Sequence, residues 1–172
     1  FVLINTNSRK TWWYSKCCWI IVTMAIINVI ILSAIMIFGL ITKASFSGEV
    51  SEYCIAIANN KFDYYMYKSF HIGLKLVLPF FIMVAMSMLQ MTISLVVKPN
   101  VSFMLTVTHI ISAAFYKTPF LFSNYAMLLR SDAVDNNGLR AVTGILISII
   151  VTVSSMIIGS IVFSRYDILN RE

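Results

Sequence analysis

Read for polarity alone, the chain alternates between long uncharged stretches and short charged ones. Cys17 to Thr42 holds no charged residue over 26 positions, Leu76 to Val97 none over 22, and Ala141 to Ser164 none over 24. About 20 apolar residues, each rising about 1.5 Å, cover the hydrocarbon of a bilayer, so these stretches predict membrane-crossing helices. A fourth stretch, Val101 to Tyr116, is shorter and carries His109. It predicts a further span starting near Pro99, because proline suits the first turn of a helix. The expected fold class is an all-α membrane protein with four spans over 17–42, 76–97, 99–116 and 141–164, in a single transmembrane domain over 1–172. Four crossings put both ends on one side.

The connections carry their own expectations. Residues 43–75 form a long polar loop rich in tyrosine, whereas Lys98-Pro99-Asn100 is tight and predicts an antiparallel hairpin of the second and third spans. Between Lys117 and Arg140 lies an apolar run, Pro119 to Leu129, of eleven residues. That is too short to cross, and predicts a re-entrant or interfacial extracellular helix over 119–130. The opening, Phe1-Val2-Leu3-Ile4 and then Asn5 to Lys10, reads as the last turn of an upstream apolar helix. The chain is therefore expected to be the C-terminal part of a longer protein.

Composition sharpens the picture. Hydrophobic residues are 59% and charged residues 12% of the chain, against roughly 45–50% and 25% in soluble domains. With a mean hydropathy of +0.86, this disfavours a soluble enzyme, a disordered chain and a nucleic-acid-binding module. The net charge of +6 then reports residues flanking spans rather than a nucleic-acid footprint. With both ends inside, six basic residues are inner (Arg9, Lys10, Lys16, Lys98, Arg165, Arg171) and seven outer (Lys43, Lys61, Lys68, Lys75, Lys117, Arg130, Arg140). The inner segments total about half the length, so charge density favours ends inside. Trp12, Trp13, Tyr14 and Trp19, then Tyr64, Tyr65, Tyr67 and Phe70, and then Phe163 and Tyr166 sit at span boundaries, as interfacial anchors do. Three cysteines imply no closed disulfide framework.

Two stripes lie within spans. Gly144, Ser148, Thr152, Ser155 and Gly159 share one face of the last span, and small residues let helices approach closely, either within the subunit or at a dimer face. Ser102, Thr106, His109 and Ala113 form a weakly polar face of the third span that should meet protein or a water-filled path. His109 is the one ionisable group deep in a span. It suits proton or substrate chemistry, and equally a neutral imidazole bonded to a neighbour. Pro79 should kink the second span. Met83, Met86, Met88 and Met91 suit an adaptable apolar surface, or ordinary packing and lipid contact.

Searches for chemistry return little. The chain has no G-x-x-x-x-G-K-[ST], no H-E-x-x-H, no paired cysteine spacing for zinc and no G-x-S-x-G. No catalytic, cofactor-binding or metal residue is assigned. The sequon Asn100-Val101-Ser102 falls at a tight turn on the inner side, where glycosylation is not expected.

Three stretches together resemble the membrane subunit of an ABC-2 type transporter, of the compact permease type found in Gram-positive bacteria beside bacteriocin-immunity and peptide-export ATPases. They are the basic aromatic segment Ser8-Arg9-Lys10-Thr11-Trp12-Trp13-Tyr14-Ser15-Lys16, the apolar segment from Pro119 to Arg130, and the ending from Gly159 through Phe163-Ser164-Arg165 to Leu169. The resemblance spans essentially the whole chain, as the last four of six family helices. It implies that residues 5–16 are a cytosolic coupling segment, with Arg9, Lys10, Trp12, Trp13 and Lys16 meeting an ABC ATPase. Simple inside-positive anchoring explains the same basic residues. It implies further that 119–130 is the re-entrant extracellular helix, that 165–172 is a cytosolic tail, and that Ser102, Thr106 and His109 lie on a translocation path. The implied partners are the ATPase, a second permease subunit in a homo- or heterodimer, and the lipid bilayer, with no nucleic acid. ATP and Mg belong to the partner ATPase, with no cofactor in this chain. The implied location is a multi-pass site in a bacterial plasma membrane, and the implied cargo is a peptide or amphipathic molecule. Two other classes stay open: a non-transport assembly or sensor protein, and an intramembrane peptidase using His71 or His109, with Cys54 as a possible nucleophile.

Overall fold

A computed structural model of the chain describes residues 9–43, 69–127, 130–132 and 138–165. Within these residues four α-helices follow in order: α1 (Arg9–Ile41), α2 (Ser69–Ile93), α3 (Pro99–Phe115) and α4 (Ala141–Arg165), with a short 3-10 helix, η1 (Phe122–Ala126), between α3 and α4. Among the described residues there is no strand, only an isolated parallel bridge between Ser131 and Leu139. Among the described residues three helices are long and apolar enough to cross a membrane: α1, α2 over Leu76–Ile93, and α4. The regular structure of the described residues is therefore helical, with helices whose length and composition suit a membrane. Helix α3 has 17 residues, a rise of about 25 Å against a hydrocarbon thickness of about 30 Å.

Helix α1 has 33 residues, about 50 Å of rise. It starts at Arg9, so residues 9–16 of the expected coupling segment are helical and continuous with the rest of α1. They are the first turns of the spanning helix, while residues 5–8 lie outside the described residues. At its far end Thr42 Oγ1 donates to the Phe38 carbonyl at 2.9 Å, and Lys43 turns into the left-handed region at φ 53°, which stops the helix. Helix α2 continues through Pro79. It ends at Ile93, four residues short of the expected Val97, because Leu95 and Val96 N–H groups tighten onto the Thr92 and Ile93 carbonyls. Proline at the start of α3 needs no donor there, and Val101 and Ser102 N–H groups take the Lys98 carbonyl. The α2–α3 hairpin is as tight as Lys98-Pro99-Asn100 suggested.

Over 119–130 the described helical residues are η1, five residues long, and Arg130, both of 3-10 type in place of a continuous α-helix. Asn124 supplies the reason. Its side-chain amide donates to the carbonyls of Tyr116 at 2.8 Å and Thr118 at 3.0 Å, so the side chain competes with helical bonding and folds the chain back on itself. Phe122, Ser123, Asn124 and Tyr125 are all buried.

Two clusters hold the bundle. At one end Trp13, Cys17, Val84, Met88 and Phe163 pack together, joining the start of α1, the later half of α2 and the end of α4. At the other, Leu78, Ile82, Ala85, Met86, Phe122, Tyr125 and Ala141 join the early part of α2, η1 and the start of α4. The starts of α1 and α3 thus share an end with the finishes of α2 and α4, an up-and-down arrangement. The α2–α4 pair is the most extensive helix contact. Met86 and Met88 are core residues, so their packing role accounts for them. Exposed Ile149, Ile150, Val153, Ile157 and Ile158 cover the outside of α4, as a lipid-facing surface would.

Candidate functional site

The basic aromatic end of α1 is pinned to the bundle by its tryptophans. Trp13 is 1% exposed, and its indole Nε1 donates to the Met156 carbonyl of α4 at 3.0 Å. Trp12 stacks on Phe163 with ring centroids 4.9 Å apart and planes 14° apart, and Trp13 stacks on the same ring at 5.9 Å. These aromatics are therefore helix-packing groups; the interfacial-anchor reading fails for Trp13 and Phe163. It suits Trp19 and Tyr14, which are exposed. The Lys16 ammonium lies 5.2 Å from the Trp12 ring centre, in cation–π range. Arg9, Lys10 and Lys16 are exposed. This end therefore presents positive charge on a helix whose next turn is clamped to α4.

Gly159 explains how Trp13 fits. A Cβ there would collide with Cζ2 of the indole, so only glycine admits the ring. Along the same face, a Cβ on Gly144 would stand 2.7 Å from Tyr125 Cβ, and the Ser155 carbonyl accepts from Thr92 Oγ1 of α2 at 3.0 Å. Thr152 Oγ1 donates to the Ser148 carbonyl at 2.8 Å. Gly144, Ser148, Ser155 and Gly159 are buried and Thr152 half-buried within the subunit. The small-residue stripe is an internal seam against η1, α2 and α1. Burial pushes the Tyr125 phenol up from its ordinary value.

The stripe on α3 divides. Ser102 is fully buried and its Oγ donates to the Gln90 carbonyl of α2 at 2.7 Å, fastening the hairpin. Thr106 Oγ1 bonds back to the Ser102 carbonyl at 3.0 Å. His109 lies 4.7 Å from the Phe122 ring, and its Nε2 is buried without a hydrogen-bond partner among the described residues. Of the three, only Ser102 joins two helices, whereas the Thr106 hydroxyl is satisfied within α3 itself. A polar lining that the sequence pattern also carried runs along α2 into the turn after it: Ser87, Gln90 and Ser94, with Met91 and Pro99, line an open depression beside the hairpin. Their steps of three and four in an otherwise apolar helix were the available signal.

At the other end Arg130 draws the connection together. Its guanidinium donates to the carbonyls of Ala113 at 2.6 Å, Tyr116 at 3.0 Å and Ala114 at 2.5 Å, and to Asn124 Oδ1. The last carbonyls of α3 lack helical partners and carry the negative end of the helix dipole, so a planar cation with five donors suits them. The Arg130 carbonyl accepts from Leu139 N–H at 2.8 Å, tying the knot to the start of α4.

His71 belongs to α2 but its side chain lies outside the described residues, as do Cys54, Phe1 to Ile4, residues 44–68 and the tail beyond Arg165. Among the described residues no group of His, Cys, Asp or Glu could hold a metal ion. No family model, curated protein or solved structure matches the chain.

Proposed function

We propose that the chain is the membrane-spanning subunit of a transporter of the ABC-2 permease type, driven by a separate ATPase. In this reading α3 is the fourth span, and the segment around η1 is a re-entrant element of the extracellular side. Both ends face the cytosol of a bacterial plasma membrane. The observation that carries the reading is the clamp of Trp12 and Trp13 on Phe163 and the Met156 carbonyl. A basic helix end that merely anchored a span would need no such fastening. A helix end pushed by a partner needs it, because displacement of Arg9, Lys10 and Lys16 must reach α4 rather than fray the first turn.

Mechanism follows from that lever. A partner ATPase pair, holding ATP and Mg in its own subunits, would push on the exposed Arg9, Lys10 and Lys16 as it closed and so shift the first turns of α1. The aromatic stack carries the shift to α4, and the α2–α4 interface passes it to the polar lining of Ser87, Gln90 and Ser94. Cargo moves only if its affinity differs between the two arrangements. That lining suits a peptide or amphipathic cargo, which needs hydrogen-bonding partners on one side and apolar contact on the other.

The test is purification in mild detergent followed by mass spectrometry of what accompanies the chain. The expected result is a P-loop ATPase in wild type and its loss when Arg9, Lys10 and Lys16 are all changed to Ser. An ATPase retained in that triple variant contradicts the coupling assignment. Its absence from wild type contradicts the transporter reading.

A further inference from the structure

The first turns of α1 present an outer face that no other described residue covers. Thr11, Ser15, Cys18 and Val22 run along it at steps of four, three and four, so they form one stripe. Tyr14 and Trp19 stand on either side, and the six residues line an open groove of about 640 Å³. That is within the roughly 300–1,000 Å³ of small-molecule sites. All six are exposed, Trp19 at 69% and Val22 at 52%, whereas the opposite side of the same turns holds the buried Trp13 and Cys17. The hydroxyls of Thr11, Tyr14 and Ser15 have no hydrogen-bond partner among the described residues. Elsewhere Thr23, Thr106, Thr152 and Ser164 turn theirs back onto their own helix.

Polarity changes along the groove. Hydroxyls line its first two turns, and Cys18, Trp19 and Val22 continue it into the uncharged stretch that begins at Cys17. From Thr11 to Val22 the helix rises about 16 Å, so the groove runs from the headgroup level into the hydrocarbon. A soluble protein reaches only its upper half, and an apolar helix matches only its lower half. A phospholipid matches both. Charge then selects among phospholipids. Lys10 lies one turn before Tyr14 on one wall, and Lys16 three residues before Trp19 on the other. Both are exposed, and Lys16 rests on the Trp12 ring with no hydrogen bond among the described residues. The one carboxylic side chain among the described residues, Asp132, follows Arg130 at the opposite end of the bundle. Lysines at this level attract anionic headgroups, and free hydroxyls donate to phosphate oxygens. We infer that the groove binds one anionic phospholipid. Its phosphate meets Lys10, Lys16 and the hydroxyls of Thr11 and Ser15, and an acyl chain lies over Cys18 and Val22 between the Tyr14 and Trp19 rings. An ammonium has three donors, so a lysine that meets the lipid phosphate can also meet an ATPase carboxylate.

The experiment is native mass spectrometry of the purified full chain, released from vesicles of phosphatidylglycerol and phosphatidylcholine in equal amounts. No ATPase is present, so the result is independent of the transporter reading. Wild type is expected to keep one phosphatidylglycerol, preferred about tenfold over phosphatidylcholine. Ser15→Phe fills the groove floor without altering charge and should lose most of that preference. Lys10→Gln should lower it about fivefold. Both positions are exposed, and a circular dichroism spectrum equal to wild type shows that helix content is retained. Equal retention of the two lipids by wild type overturns the inference. A preference unchanged in Ser15→Phe overturns it as well, because the cations of this end would then attract phosphatidylglycerol without a groove.

Discussion

Arg130 closes several unpaired groups at once. One guanidinium takes three carbonyls at the end of α3 and the side chain of Asn124, which itself is fully buried and holds two further carbonyls. Removing it leaves the Ala113 carbonyl and Asn124 Oδ1 unpaired at part-buried positions, while the Ala114 and Tyr116 carbonyls can turn to water, so Arg130→Ala should cost about 1–2 kcal/mol. Arg130→Lys should recover only part of that, because an ammonium lacks the planar fork. Unfolding in mixed micelles measures both, and equal stability of Ala and Lys variants would show that the fork geometry is irrelevant. None of this is legible in the sequence. Arg130 reads there as one of seven outer basic residues, and its targets are backbone carbonyls seventeen and fewer positions away, which leave no mark on side-chain pattern. Trp13 misleads for a related reason: a tryptophan at a span boundary is an interfacial anchor by statistics, and its core role rests on Phe163, the space at Gly159 and the Met156 carbonyl, all about 140 or more positions away.

Between helices, fit replaces hydrophobicity as the organising force, since lipid is as apolar as leucine. The α1–α4 crossing rests on Gly159 accepting the Trp13 ring. Gly159→Ala should therefore destabilise the crossing by about 1–3 kcal/mol. Trp13→Phe, which removes the colliding part of the indole, should make the added methyl tolerable. The double variant is then expected to lose less than the sum of the two single losses, and strict additivity would contradict the packing. The helices themselves are largely legible, because an uncharged run of span length has few alternatives. The expected 76–97 misses the ends of α2, since its first turns carry His71 and Lys75 and its last four expected residues form a turn. The 119–130 segment misleads more deeply, because apolar composition cannot reveal that Asn124 bends the chain into η1.

For the whole molecule, the two packing clusters fix which helix ends lie together, and so divide the charges. Arg9, Lys10, Lys16, Lys98 and Arg165 belong to the end held by Trp13 and Phe163, whereas Lys43, Lys117, Arg130 and Arg140 belong to the end held by Tyr125. The ATPase reading requires the first set to face the cytosol, and it requires α3 to cross. Counting along the chain sets six basic residues against seven and decides only by density; the packing assigns sides but not which side is the cytosol. The most direct measurement is labelling of intact cells by a membrane-impermeant thiol reagent, with single cysteines at Lys10, Lys43, Asn100 and Lys117 and the native Cys17, Cys18 and Cys54 replaced by Ala. The account predicts labelling at Lys43→Cys and Lys117→Cys, and protection of Lys10→Cys and Asn100→Cys until the membrane is permeabilised. Labelling of Lys10→Cys in intact cells would contradict ATPase coupling, and equal labelling of Asn100→Cys and Lys117→Cys would show that α3 does not span.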